Sequence, residues 1–116
     1  MRVISRKRLR EFWESHANSK TPLKAWYAIA NSAEWTCWDD LEEVFPNADQ
    51  VGNCVVFNIG GNNYRLIARM RYPVYVYVLK IMTHAEYNKD RWPKECGCHK
   101  PPPKKKTTKK KKKMTT

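Results

Sequence analysis

No apolar run in this chain comes near the roughly 20 residues that a membrane-spanning helix needs, so no helical span is expected. The first residues, MRVISRKRLREFW, carry charge from the second position and lack an apolar core segment, so no secretory signal is expected there either. The expected location is the cytoplasm, with reduced thiols. Only four cysteines occur, Cys37, Cys54, Cys96 and Cys98, and Cys54 sits in an apolar run, as a small core residue does. No internal repeat is present, which excludes a repeat array. Acidic residues are missing from 100–116, a stretch that holds nine lysines.

The chain has 116 residues, enough for one domain. A domain of this length buries about two-thirds of its unfolded surface. Forty-one per cent hydrophobic residues, five tryptophans among them, support a packed core. The net charge of +12 is uneven: outside 100–116 there remain 14 basic residues against 11 acidic ones, or +3. That balance permits an anionic partner without requiring one. Residues 1–98 are read as the folded domain. Residues 99–116, rich in Pro, Lys and Thr, are read as a disordered tail, because like charges and prolines cannot build a core. The lysines would add only nonspecific affinity for nucleic acid.

Along the body, Arg2 to Ser5 reads as a short strand, with Ser5 as a cap for a helix from about Arg6 to His16. Leu9, Phe12, Trp13 and His16 lie on its apolar side. Thr21 as cap and Pro22 at the first position signal a second helix, whose apolar residues are Leu23, Trp26, Tyr27, Ile29 and Ala30. Residues 34–50 read as irregular, with one or two helical turns before Pro46 and a turn at Asn47-Ala48-Asp49. From Cys54 the composition turns β-branched. Gly60-Gly61-Asn62-Asn63 and Tyr72-Pro73 divide the following stretch into three strands of an antiparallel meander. Thr83 and Glu86 form a capping box for a short closing helix.

Strand periodicity places Arg65, Ile67, Arg69 and Arg71 on one face of their strand, and Tyr64, Leu66, Ala68 and Met70 on the other. The first face is either a solvated sheet surface or an anion-binding one, since guanidinium matches phosphate geometry. On the next strand the same period groups Val74, Val76, Val78, Lys80 and Met82 against Tyr75, Tyr77, Leu79 and Ile81. Lys80 comes just before the closing helix, on which His84 and Tyr87 share a side. Arg65 joins them from the neighbouring strand. RNA cleavage needs such a set: a group that takes the 2′-hydroxyl proton, cations for the phosphorus centre, and a donor for the departing 5′-oxygen. Histidine suits the proton transfers because it exchanges protons near neutrality. Each residue also has an ordinary structural reading.

Val56-Phe57-Asn58-Ile59-Gly60-Gly61-Asn62, then Tyr64-Arg65-Leu66, then Lys80-Ile81-Met82-Thr83-His84-Ala85-Glu86-Tyr87 resemble the HigB toxins. These belong to the RelE-like superfamily of type II toxin–antitoxin systems. The resemblance covers roughly residues 1–92. It implies an α+β, RelE-like fold with two N-terminal helices packed on an antiparallel sheet and a short C-terminal helix. It implies an mRNA endonuclease, usually acting on the translating ribosome, that uses the 2′-hydroxyl and leaves a cyclic phosphate, with no metal or other cofactor. The implied partners are mRNA, the ribosome and a helix-turn-helix antitoxin of the HigA type. In these terms Arg65 holds the scissile phosphate, Lys80 is a second cation, His84 transfers protons, and Tyr87 stacks on a base or assists proton transfer. Asn58 and Asn62, with Arg69 and Arg71, position RNA. Relatives often carry arginine where Lys80 stands, and the lysine-rich ending departs from the family pattern.

Two other classes compete. A nonenzymatic RNA- or ribosome-binding module, or an inactive toxin relic, accounts for the charge and the aromatics without a poised acid or base. A zinc protein would use Cys96-x-Cys98-His99, but finger spacing is usually Cys-x(2–4)-Cys and a tetrahedral site wants four ligands. A loose pair of thiols is the simpler reading there.

Overall fold

The computed structural model describes residues 1–98. The expected disorder of 99–116 lies outside the described residues. The chain begins with strand β1 (Arg2–Ile4) and helix α1 (Arg6–Ser15). Ser5 does not cap α1 through its side chain. It takes the left-handed conformation, φ 74°, and its carbonyl accepts the Arg8 N–H at 2.9 Å. One residue must turn the chain from strand to helix, and a left-handed residue does so. A 3-10 turn at Ala17–Ser19 leads into α2 (Lys20–Ser32), so this helix begins ahead of Thr21 and Pro22, and Thr21 is not its cap. Leu23, Trp26 and Ala30 are buried, whereas Ile29 is 43 % exposed and lies off the apolar stripe.

The stretch expected to be irregular holds α3 (Trp38–Val44) and a short strand β2 (Asp49–Val51). Then follow β3 (Cys54–Ile59), β4 (Tyr64–Arg71) and β5 (Tyr75–Thr83). The closing part is two short helices rather than one, α4 (His84–Asn88) and α5 (Trp92–Glu95). The Thr83–Glu86 capping box of α4 is present in both directions. The sheet has five strands in the order β1-β5-β4-β3-β2. It is mixed rather than wholly antiparallel, because β1 adds to β5 in parallel, with Val3 opposite Val76. A parallel partner requires a crossover. Here the connection runs through α1, α2 and α3 and then β2, β3 and β4, and the three helices cover one face of the sheet.

That face carries the main core. Leu9, Leu23, Trp26, Ala30, Trp35 and Leu41 pack on Val55, Phe57, Leu66, Ala68, Val76, Val78 and Ile81. Phe57 is gripped edge-on by Trp26 and Phe45, at 5.3 and 5.2 Å between ring centroids. A second, smaller core lies on the opposite face and joins Cys54, Val56, Ile67 and Met82 to Trp92 and Cys98 of the closing segment. Cys54 is thus buried as expected, but it is not a free thiol: it is bonded to Cys98 across 44 residues. The two cysteines face each other because the α4–α5 segment folds back over β3 and β4. Cys37 and Cys96 are free.

The simple alternation expected for β5 fails at one point. Ile67 pairs with Lys80 while Ala68 pairs with Val78, so Leu79 is an extra residue, a β-bulge. Beyond it the side chains exchange faces. Val76 and Val78 share the helix-covered face with Ile81, whereas Lys80 and Met82 share the other face with Arg65 and Ile67. Strict period two would have put Lys80 with Val76 and Val78, on the opposite side from Arg65.

Candidate active site

The face opposite α1 and α2 is only partly covered, and its cations differ in setting. Arg65 stands near the start of β4, opposite Met82 on one side and Asn58 on the other. It is the one charged residue among the described residues that is buried, at 8 % exposure. Its Nη1 donates to the Tyr64 carbonyl at 3.1 Å and its Nη2 to Asn62 Oδ1 at 3.4 Å. The guanidinium lies 5.2 Å from the centre of the Tyr87 ring. No carboxylate forms an ion pair with it among the described residues. Burying a charge without a counter-charge is costly. A buried guanidinium held by neutral groups and a ring face retains strong attraction for an anion.

Tyr87 is fixed from behind by Trp92, stacked at 5.3 Å between centroids and 16° between planes. Burial raises its phenol above the usual tyrosine range. Asp49 adds to the rise, Arg65 opposes it, and Asp90 adds to it again. The phenol therefore keeps its proton at neutral pH and can donate a hydrogen bond. His84, the first residue of α4, is exposed. Its backbone N–H donates to the Asn63 carbonyl at 3.1 Å, which ties α4 to the β3–β4 turn. Its Nδ1 meets Asn88 Nδ2 at 3.0 Å, so Nε2 is the ring nitrogen left for a substrate. Arg65, Asn62, Tyr87 and His84 thus belong to one end of the β4–β5 pair.

Lys80 shares the face but not this cluster. Its Nζ forms an ion pair with Glu95 Oε1 at 3.0 Å and lines a separate cleft with Met82, Glu86, Lys89, Arg91 and Trp92. Arg69 donates through Nη2 to the Cys96 carbonyl at 3.2 Å and so holds the closing segment down. Arg71 is exposed at the far end of β4, six residues or roughly 20 Å from Arg65. Asn58 and Asn62 line a groove of about 320 Å³ beside Arg65, with the Val44–Ala48 turn as its other wall. Sequence reasoning read a turn at Asn47-Ala48-Asp49 but did not place it beside the site, and it missed Trp92 and Glu95. Trp92, an aromatic soon after the capping box, was the available signal. No group of three or more His, Cys, Asp or Glu side chains among the described residues is placed to hold a metal. Cys98 of the Cys-x-Cys-His run is bonded to Cys54, and His99 lies outside the described residues.

A mixed five-stranded sheet with α1, α2 and α3 on one face is consistent with the RelE-like class of small toxins. The family model for the HigB toxin, described as a RelE-like toxic component of a toxin–antitoxin system, matches residues 19–90, and the chain belongs to this family. It is 30 % identical over 92 residues to the mRNA interferase toxin HigB of Escherichia coli K12, which spans 76 % of this chain and 88 % of that protein. It is 28 % identical over 93 residues to the mRNA interferase HigB of Escherichia coli O6:H1, spanning 77 % and 90 %.

Proposed function

We propose that this chain is an mRNA endonuclease, the toxin of a type II toxin–antitoxin pair, and that it stops translation by cutting mRNA on the translating ribosome. The observation that carries the reading is the buried Arg65 guanidinium, which has no carboxylate partner among the described residues and is flanked by Tyr87. In the reaction the 2′-oxygen attacks phosphorus and loses its proton. The bond from phosphorus to the 5′-oxygen breaks, and a proton reaches that oxygen, leaving a cyclic phosphate and a 5′-hydroxyl. Arg65 stabilises the charge that builds on the phosphorane oxygens. His84 moves protons through Nε2, and Tyr87 donates from its phenol or stacks on a base. Lys80 serves as a second cation once Glu95 gives way. Asn58 and Asn62 position the RNA beside Arg65, and Arg69 and Arg71 extend the basic strand face. The reaction so written needs no metal or other cofactor. A helix-turn-helix antitoxin of the HigA type is the proposed neutralising partner, and the cytoplasm the proposed location.

The test is Arg65→Met, assayed for mRNA cleavage on purified translating ribosomes and for growth arrest. Cleavage should fall by roughly 10²–10³-fold, the usual effect of removing a donor at a developing oxyanion. The denaturation midpoint should hold or rise, because a buried charge is removed. Intact mRNA with the unaltered chain despite clear ribosome binding would favour a nonenzymatic binding module.

A further inference from the structure

The groove beside Arg65 has a composition that phosphate binding does not explain. Among the described residues its lining includes Asn47, Asn58 and Asn62 together with Phe45 and Pro46, and no charged residue. Two of the three asparagines adjoin the arginine: Asn58 is its cross-strand partner on β3, and Asn62 accepts from its Nη2. The apolar wall is rigid, because Phe45 is held edge-on by Phe57 at 5.2 Å and Trp35 at 6.0 Å between centroids. The turn itself is closed by the Ala48 N–H on the Phe45 carbonyl at 3.0 Å. At about 320 Å³ the groove lies at the small end of ligand pockets, room for one flat heterocycle rather than a length of chain.

We propose that this groove reads one base of the RNA, the base next to the phosphate held by Arg65. The proposal rests on the endonuclease reading. Single-stranded RNA is recognised in sequence through bases turned out of the stack and hydrogen-bonded along their edges. A carboxamide offers donor and acceptor side by side, which matches such an edge. The Phe45–Pro46 wall supplies apolar contact for the ring. A phosphate would instead call for the positive charge that the groove lacks and Arg65 supplies next door. Asn47 and Asn58 are the specificity-determining residues. Asn62 serves both the base and the arginine.

The experiment maps toxin-dependent RNA 5′ ends in cells expressing the full chain, Asn47→Ala, Asn58→Ser or Arg65→Met. The base profile around the cuts is scored relative to each variant's own total. The expected result is a preference at one position beside the cut that weakens by about five-fold or more in Asn47→Ala and Asn58→Ser, as loss of a good base contact does. Arg65→Met should lose cuts at all sites alike. An unchanged profile in both asparagine variants, with cuts present in the unaltered chain, overturns the base pocket and leaves the nuclease standing. So does a uniform loss of cuts. The same profile with weaker neutralisation by the antitoxin would overturn it in favour of a protein ligand. Absence of toxin-dependent ends in the unaltered chain defeats the nuclease reading itself and the pocket with it.

Discussion

Val56 and Phe57 are neighbours on β3, yet they belong to different interiors. Phe57 enters a core of large aliphatic and aromatic side chains supplied by three helices. Val56 enters a small cluster roofed by a few residues of the closing segment. The first interior is held chiefly by apolar area, which contributes about 25 cal/mol per Å² buried. The second is too small for that, and other bonds pin it. These are the Cys54–Cys98 bridge, the Arg69 hydrogen bond to the Cys96 carbonyl and the Lys80–Glu95 ion pair. Apolar packing is concentrated on one face, and the other is left able to carry cations near solvent. The same economy separates Arg65 from Lys80: one is buried and held by neutral groups, the other is about half exposed and neutralised by a carboxylate.

Three experiments press on this comparison. Phe57→Ala should have the largest effect, about 3–5 kcal/mol off the unfolding free energy, because it empties the centre of the helix-covered core. Urea denaturation measures it, and a loss well under 2 kcal/mol would show that the helix face is not the main source of stability. Reduction of Cys54–Cys98 comes next. Opening a loop of 44 residues should cost about 4 kcal/mol on the chain-entropy account. With reductant present, hydrogen exchange should rise first in α4 and α5 while β3 and β4 stay protected. Equal loosening of both faces would contradict the division. The smallest effect belongs to Glu95→Gln. The pair is about half exposed, so stability should change by less than about 1 kcal/mol. Cleavage on ribosomes should rise up to a few-fold, and the rise should fade with salt, as Lys80 is freed. Unchanged cleavage would remove Lys80 from the working surface.

The elements that local chemistry governs were legible. The apolar spacing of Leu9, Phe12 and Trp13 gave α1, the Gly60–Asn63 run gave the β3–β4 turn, and Thr83 with Glu86 gave the start of α4. Elements that depend on distant partners were not. β2 has only three residues and forms because Asp49 to Val51 find Val56 to Cys54 beside them. β1 joins β5 in parallel only after the helices have brought the chain back. The parallel pairing leaves no turn signal, whereas a hairpin does. Of the candidate site, residue types and the common end of β4 and β5 were readable. The Val44–Ala48 wall of the groove was not, because those residues lie ten to fourteen positions from Asn58 and meet it only in the fold.

By itself the sequence determined that β4 presents Arg65, Arg69 and Arg71 on one side, because side chains alternate along a strand without reference to anything else. It also determined which residues offer cations, a proton carrier and carboxamides. The tertiary structure decided what each of them does. A single extra residue at Leu79 reversed the phase of β5 and brought Lys80 to the face of Arg65. The return of the closing segment set Trp92 behind Tyr87, Glu95 on Lys80 and Cys98 on Cys54. Alternation is a property of the backbone, but phase, burial and pairing are properties of what the backbone meets.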